Sequence, residues 1–435
     1  MEDLLRTVAA KVSAARSEIA ATKVGRLVSL SLSLSADQFG SVVADGAECQ
    51  WLSPEGSLHG GGEVVRLDGD LARDFREVGG RWVSRGDGLH RPVALFTYPP
   101  PNSPDRPSLW VPKAVIRRSA GAFSVILSWR RDDADIGTIM GEWMELLRSM
   151  LMPVVETERA GTILALSAQP DSRQWEKRVR ATSRAIANRR FDKVVLARRF
   201  QITLAAPPAV AALVGRLAAA NPRCHTFTLP HRQGRVVAST PEVLAAKRGH
   251  QVVAHALAGT ARRHEAEAEN QAAVARLLSS AKERREHDLV AAVIASHMRL
   301  LCETVHLPPE PTIMALPFVQ HLWTPIIGRL RANYGLLDMV ERLHPTPAVL
   351  GTPREAAALW LDRIGERRDG LYSGVAGWID SGGDGDAVVV LRSAFVEDCR
   401  AILWAGAGIM ADSLPEAEFA ETELKMATML EALRS

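Results

Sequence analysis

The feature that most constrains this chain is a strict alternation, Val-Ser-Leu-Ser-Leu-Ser-Leu-Ser at residues 28–35, within VGRLVSLSLSLS. Successive side chains of a strand point to opposite faces, so a period of two predicts a strand rather than a helix. Strand patterns recur in PVALFTY, SLWVPKAVIRR and AFSVILSW, then in FDKVVLARRF, RVVAST, EVLAAKRGHQVVAHALAGT and AILWAGAGI. Helical patterns lie among them: residues 1–22, residues 136–150, a segment opened by Asp171 as N-cap, Pro207–Ala220, and a last helix from about Pro415 to Leu433. The run ENQAAVARLLSSAKERREHDLVAAVIASHMRLL reads as one long helix. Its apolar stripe of Val274, Leu277, Leu278 and Ala281 resumes at Leu289, Val293 and Ile294. Strands and helices intermix without a repeat, which predicts an α/β or α+β chain with sizeable sheets. One soft boundary falls at residues 165–175, and SGGDGD reads as a Gly-rich loop.

At 435 residues the chain is long for one domain, but large sheets can reach this length as a single unit. Its 47% hydrophobic and 24% charged residues are ordinary globular composition with enough apolar content for a large core. The net charge of +3 comes from interleaved signs, as in RREHD and ARRHEAEAEN, which argues against a nucleic-acid partner. Cys49, Cys224, Cys302 and Cys399 are far apart and form neither a disulfide framework nor a zinc-finger set. The N-terminus carries both charge signs and no continuous apolar core, so it does not read as a secretory leader. No apolar run reaches membrane-spanning length. The expectation is a soluble, cytoplasmic protein.

Two carboxylate pairs carry the strongest chemical signal. Glu418 and Glu421 stand three apart, with Lys425 four further on, and Glu283 and Glu286 repeat the spacing. Residues three or four apart share a helix face. As surface groups, the first pair would favour a helix N-terminus and the second would pair with Lys282, Arg284 and Arg285. As a site, four oxygen donors from two helices would suit a hard cation such as Mg2+. Nothing suits zinc, because the histidines are scattered and HExxH is absent. Gly406-Ala407-Gly408 is expected as a strand-exit turn, either merely tight or offering N–H groups to an anion. It lacks the dinucleotide and P-loop fingerprints. Arg392 is expected in a strand, either paired structurally or presented to a carboxylate that its planar fork would fit. Lys193 shares a strand face with Val195 and Ala197, so it either snorkels outward or is desolvated with its pKa lowered. Glu242 is a helix-start carboxylate or a strand-borne acid.

Taken in order, KVVLAR, STPEVL, LAGTARR, KERREHDLV, VQHL, LHPTPAVLGTP, LYSGVAGWID, LRSAF and WAGAGIMADSLPEAEFAETELK resemble the chorismate-utilising enzymes. That family includes the isochorismate, salicylate, anthranilate and aminodeoxychorismate synthases. The resemblance covers residues 170–430, and the earlier part matches only loosely, around LWVPKAVIRR. LHPTPAVLGTP is similar to the isochorismate synthase form; anthranilate and salicylate synthases begin that stretch with Phe-Pro. The chain departs from the form at Leu350, where glycine is usual.

The resemblance implies a large sandwich of two antiparallel-rich sheets flanked by helices. Residues 1–165 would supply strands and helices to it, residues 166–435 would form the chorismate-binding catalytic half, and the two would make one compact unit. It implies Lys193 as the base that activates water and Glu242 as the acid that protonates the departing hydroxyl. Glu286 and Glu421 would be Mg2+ carboxylates, with Glu283 and Glu418 as nearby ligands. Tyr372, Arg392, Gly406, Gly408 and Lys425 would hold substrate carboxylates, and Thr260 and His321 would line the site. Ala258 stands where aminodeoxychorismate synthases place a nucleophilic lysine, so no covalent route through that position is expected. The activity implied is conversion of chorismate to isochorismate, in menaquinone or siderophore synthesis, by a monomer. The alternatives weighed are a salicylate synthase that goes on to eliminate pyruvate, an anthranilate synthase component, and a non-catalytic chorismate-binding scaffold.

Overall fold

The computed structural model describes residues 1–21, 25–39, 44–130, 136–153 and 161–434. Among these residues the chain forms two large sheets, one of thirteen strands and one of ten. Every strand pairing between them is antiparallel except that of Leu27–Leu34 with Trp82–Arg85. The larger sheet joins early and late sequence where Cys49–Ser53 pairs with His225–His231; the smaller does so where Val93–Tyr98 pairs with Val375–Asp380. Each sheet is therefore built from both halves of the chain.

The sheets pack face to face. Trp51, Phe227, Leu229 and Val236 of the larger sheet share one apolar cluster with Val93, Leu95, Trp378 and Val388 of the smaller. Trp51 and Phe227 stack with ring centroids 4.9 Å apart, the offset geometry aromatic pairs prefer. Helices cover the outer faces. Ala281–Leu301 and Leu336–Leu343 lie on the smaller sheet, while Val210–Ala220 and Pro415–Arg434 lie on the larger. Removing these apolar surfaces from water is the main stabilising term, at roughly 25 cal/mol per Å².

Two of the alternating serines, Ser29 and Ser31, are buried as well as the leucines. Val28, Leu30 and Leu32 join the cluster beneath the N-terminal helices. On the opposite face, the Ser29 hydroxyl lies 2.7 Å from that of Ser128 and accepts from Trp82 Nε1 at 2.9 Å, and Ser31 donates to the His90 carbonyl. The alternation thus separates an apolar interior from a hydrogen-bonded one.

Three sequence expectations are corrected. The N-terminal helix is two helices, Glu2–Ala14 and Arg16–Ala20. The long helix is also two, Glu267–Ser279 and Ala281–Leu301, broken at Ser280, whose extended backbone and side chain cap the second by accepting from Glu283 N. Gly406-Ala407-Gly408 is not a turn. It lies inside the strand Arg400–Ile409, paired with Lys193–Leu204 through Gly406 opposite Ala197 and Gly408 opposite Val195. Asp171 does cap its helix, accepting from Gln174 N at 2.8 Å.

Candidate active site

The site forms at two of the short links by which the chain crosses from one sheet to the other. Pro241 and Glu242 join Gly234–Thr240 of the larger sheet to Val243–Arg248 of the smaller. Residues 390–392 join Gly385–Val389 of the smaller sheet to Ser393–Glu397 of the larger. Arg392 is therefore in a link rather than a strand, with a left-handed φ of 47°. Glu242 is neither a helix-start nor a mid-strand acid. It immediately precedes a strand, and its carbonyl accepts from Val389 N at 3.0 Å. Beside these links lies a cavity walled by residues of both sheets.

Twelve of the expected residues line this cavity: Lys193, Glu242, Ala258, Thr260, Glu286, His321, Tyr372, Arg392, Gly406, Gly408, Glu421 and Lys425. Lys193 opens the strand Lys193–Leu204 and does not snorkel: it is 1% exposed, with Nζ 2.8 Å from Glu286 Oε1. Burial pushes the Glu286 carboxyl up, but the ammonium groups of Lys193, Lys425 and Lys282 outweigh it and hold Glu286 below its ordinary range. Burial dominates at Glu242, whose pKa rises to about 7 despite Lys193, Lys425 and Arg392 nearby. Among the described residues Glu242 Oε1 has no hydrogen-bond partner. One cavity thus holds a buried lysine and a carboxyl that keeps its proton toward neutrality.

A chain of hydrogen bonds links the opposite groups. Arg392 Nη2 lies 2.7 Å from His321 Nε2. A guanidinium only donates, so Nε2 accepts and the imidazole proton sits on Nδ1. Nδ1 faces the Gly259 carbonyl at 3.3 Å and the Thr260 hydroxyl at 3.1 Å. Burial first, then Arg392 and Lys425, holds the His321 pKa well below its ordinary value, in keeping with this neutral form. The Thr260 hydroxyl donates to Glu421, which also accepts from Lys425 Nζ at 2.6 Å, and Lys425 donates to the Gly406 carbonyl. Among the described residues Arg392 Nη1 is buried without a partner, the position an incoming anionic group would satisfy.

The two glycines make room rather than a turn. A Cβ at Gly408 would lie 2.3 Å from Glu286 Oε1 and 2.8 Å from Lys193 Cε, and one at Gly406 would lie 2.6 Å from Tyr372 Oη. Side chains brought from other segments occupy the space.

Glu283 and Glu418 stand behind the cavity wall. Glu283 accepts from Thr260 N at 3.0 Å, and Glu418 pairs with Lys282 at 2.8 Å. Burial and then neighbouring carboxylates raise both, Glu283 next to Glu286 and Glu418 next to Glu421, with Glu418 reaching about 7. Carboxylate oxygens are the donor type that a hard divalent cation takes. Among the described residues, however, no three acidic, histidine or cysteine side chains close around one point, because lysines and a backbone N–H engage the carboxylates individually.

Sequence reasoning missed part of the wall: Val195, Leu257, Val349, Leu391 and Trp404. Trp404 was findable, since alternation puts it on the face of Gly406 and Gly408. It stacks on Tyr372 at 5.7 Å and donates through Nε1 to Asp369.

Two stacked sheets with a charged cavity at their crossings make the architecture of an enzyme for a small anionic molecule. The sequence matches the chorismate binding enzyme family over residues 102–434, and the chain belongs to that family. Its relatives include isochorismate synthase MenF of Bacillus subtilis (strain 168), 30% identical over 325 residues, covering 74% of this chain and 69% of that protein. Isochorismate synthase EntC of Escherichia coli (strain K12) is 35% identical over 284 residues, covering 65% of this chain and 70% of that protein. The structure of the menaquinone-specific isochorismate synthase MenF from Escherichia coli has the same fold, with a TM-score of 0.81 over 98% of this chain and all of that one, at 21% identity. A putative 2,3-dihydroxybenzoate-specific isochorismate synthase, DhbC from Bacillus anthracis, superposes with a TM-score of 0.72 over 90% of this chain and 97% of that one, at 26% identity. The two-sheet sandwich expected from the sequence is the fold observed. Among the described residues no helix is long and apolar enough to cross a membrane.

Proposed function

We propose that this enzyme converts chorismate to isochorismate, adding water at ring carbon 2 and losing the hydroxyl at carbon 4. The observation that carries the reading is the pairing, in one cavity, of buried Lys193 with a Glu242 carboxyl whose pKa is raised to about 7. At one pH the base must be unprotonated and the acid protonated, and the raised Glu242 carboxyl supports the acid side of such a pair. Lys193 takes a proton from the attacking water, the ring double bond shifts, and the C4–O bond breaks. Glu242 gives its proton to the departing hydroxyl, which leaves as water. One proton is taken and one given, so the ring is isomerised without net change in composition.

Chorismate carries two carboxylates. The unpartnered Arg392 Nη1, with Lys425 nearby, supports binding of one of them. The chemistry of Glu283, Glu286, Glu418 and Glu421 supports a Mg2+ site, and a cation held there would neutralise the other. A lysine takes a proton only as the free amine, so a cation that engaged Glu286 in place of Lys193 would tie metal binding to activation of the lysine. Ala258 offers no nucleophile, which supports addition of water over a covalent route.

Product analysis tests the proposal. Purified protein with chorismate and Mg2+, without ammonia, is expected to give isochorismate and no pyruvate, and to stop with EDTA. Salicylate with pyruvate would overturn it in favour of a salicylate synthase, and binding without turnover in favour of a non-catalytic scaffold.

A further inference from the structure

The strand Lys193–Leu204 has a gap along one edge. Residues Lys193 and Val194 pair there with Gly351–Thr352, and pairing resumes only at Arg199 opposite Gln169. Between these points two charged side chains take the place of a strand. Glu366 Oε2 accepts from Ala197 N at 3.1 Å, and Arg368 Nη2 donates to the Val195 carbonyl at 2.7 Å. Arg368 also reaches Glu366 Oε1 from Nε at 3.0 Å and Nη2 at 2.9 Å. Its Nη1 donates to the Val349 carbonyl at 2.6 Å and to Ser373 Oγ at 3.1 Å. Both side chains are at most 3% exposed.

The pair therefore fastens three segments that meet at the cavity. Val195 and Val349 line it, Ser373 follows the lining residue Tyr372, and Lys193 lies two residues before Val195. A buried ion pair adds little net stability over apolar groups of the same shape. A guanidinium with every donor engaged does fix direction, which apolar packing does not. The substrate-anchoring candidates are held elsewhere, Arg392 by His321 and Lys425 by Glu421.

We propose that Glu366 and Arg368 are positioning residues for the reaction, holding the start of the lysine strand and the 346–350 wall at the spacing that Lys193 needs. The inference rests on the proposed function above. Misplacing a reacting group by about an ångström can cost on the order of 10²-fold in rate. The test measures chorismate consumption and melting for wild type, Glu366→Gln and Arg368→Lys. Val12→Ala, in the separate cluster under the N-terminal helices, serves as a destabilised control. The expected result, well below the melting midpoints, is a kcat lowered about 10²-fold in both site variants, with KM moved less and the control kcat intact. Arg368→Lys keeps the charge and loses the fork, so it is not expected to rescue. Should these variants not fold, Ser373→Ala, which removes one tether and leaves no charge unpaired, is expected to lower kcat with KM held. A wild type that turns over while the folded variants keep the control kcat overturns the role of the pair alone. A wild type that consumes no chorismate overturns the reading of the site and this proposal with it.

Discussion

Lys193 Nζ and Glu286 Oε1 lie 2.8 Å apart with side chains 1% and 11% exposed, so the proposed base and a proposed cation ligand form one buried ion pair. Removing either partner strands a charge in the interior. Lys193→Ala is expected to lose turnover and about 3–5 kcal/mol of stability. The double change Lys193→Met with Glu286→Gln is expected to regain much of that stability and no activity. Thermal melts run beside product chromatography check both; a double variant that turns over would remove Lys193 from the mechanism.

Glu242 gives a pH signature. Its carboxyl is protonated below about 7 in the folded protein and only below the ordinary carboxylate range when unfolded. Between those values the folded state binds more protons than the unfolded state, so this group's contribution to stability declines as pH rises. The same titration removes the acid, so rate should fall on passing above pH 7. Glu242→Gln is expected to abolish that stability slope and to cost about 10²–10⁴-fold in kcat. Denaturant melts and rates across pH 4–9 measure both; an unchanged stability slope in the variant would assign the titration to another group.

Gly408→Ala tests the crowding directly. Its Cβ would fall 2.3 Å from Glu286 Oε1, and the flexible carboxylate must yield, parting from Lys193. A loss on the order of 10²-fold in kcat/KM is expected, with a fold indistinguishable by circular dichroism.

Arg392→Lys keeps the charge but not the fork. Loss of one charged hydrogen bond is worth about 1.5–3 kcal/mol, so KM for chorismate should rise roughly 10–100-fold. His321→Ala removes the acceptor that aims Arg392 Nη2 and is expected to shift KM in the same direction. Steady-state kinetics distinguish these from Glu242→Gln, where kcat carries the loss.

Mg2+ removal should abolish turnover, and added Mg2+ should raise the melting temperature by binding the folded state. Glu418→Gln should weaken that rise in a calorimetric titration. A melting curve insensitive to Mg2+ would count against the cation site.

Much of this was legible in the chain. The alternation around Lys193 gave its strand but left open whether the side chain snorkels outward or is buried, and the three-residue spacing of the glutamates gave their helices. The break at Ser280 was missed: Ser-Ala-Lys-Glu carries a capping signature, but the apolar stripe continues on either side and reads as one helix. The glycines were misread for a physical reason. Within one segment a glycine signals a turn, and only the arrival of Glu286, Lys193 and Tyr372 from elsewhere shows that it is leaving space. Arg392 failed likewise, because a left-handed residue between two sheets has no local sequence mark. Glu366 and Arg368 carry no signal in the sequence, since nothing in GERRDG says that a strand edge lies open beside them.

Glu242 and Arg392 sit in the links where the chain passes between sheets, so neither is in place until both sheets are stacked. The two halves of the chain contribute strands to each sheet, and no fragment contains the whole arrangement. Turnover is therefore a reporter of assembly: during refolding it should return after secondary structure, and a nick in either link should silence the enzyme while most of its sandwich stands.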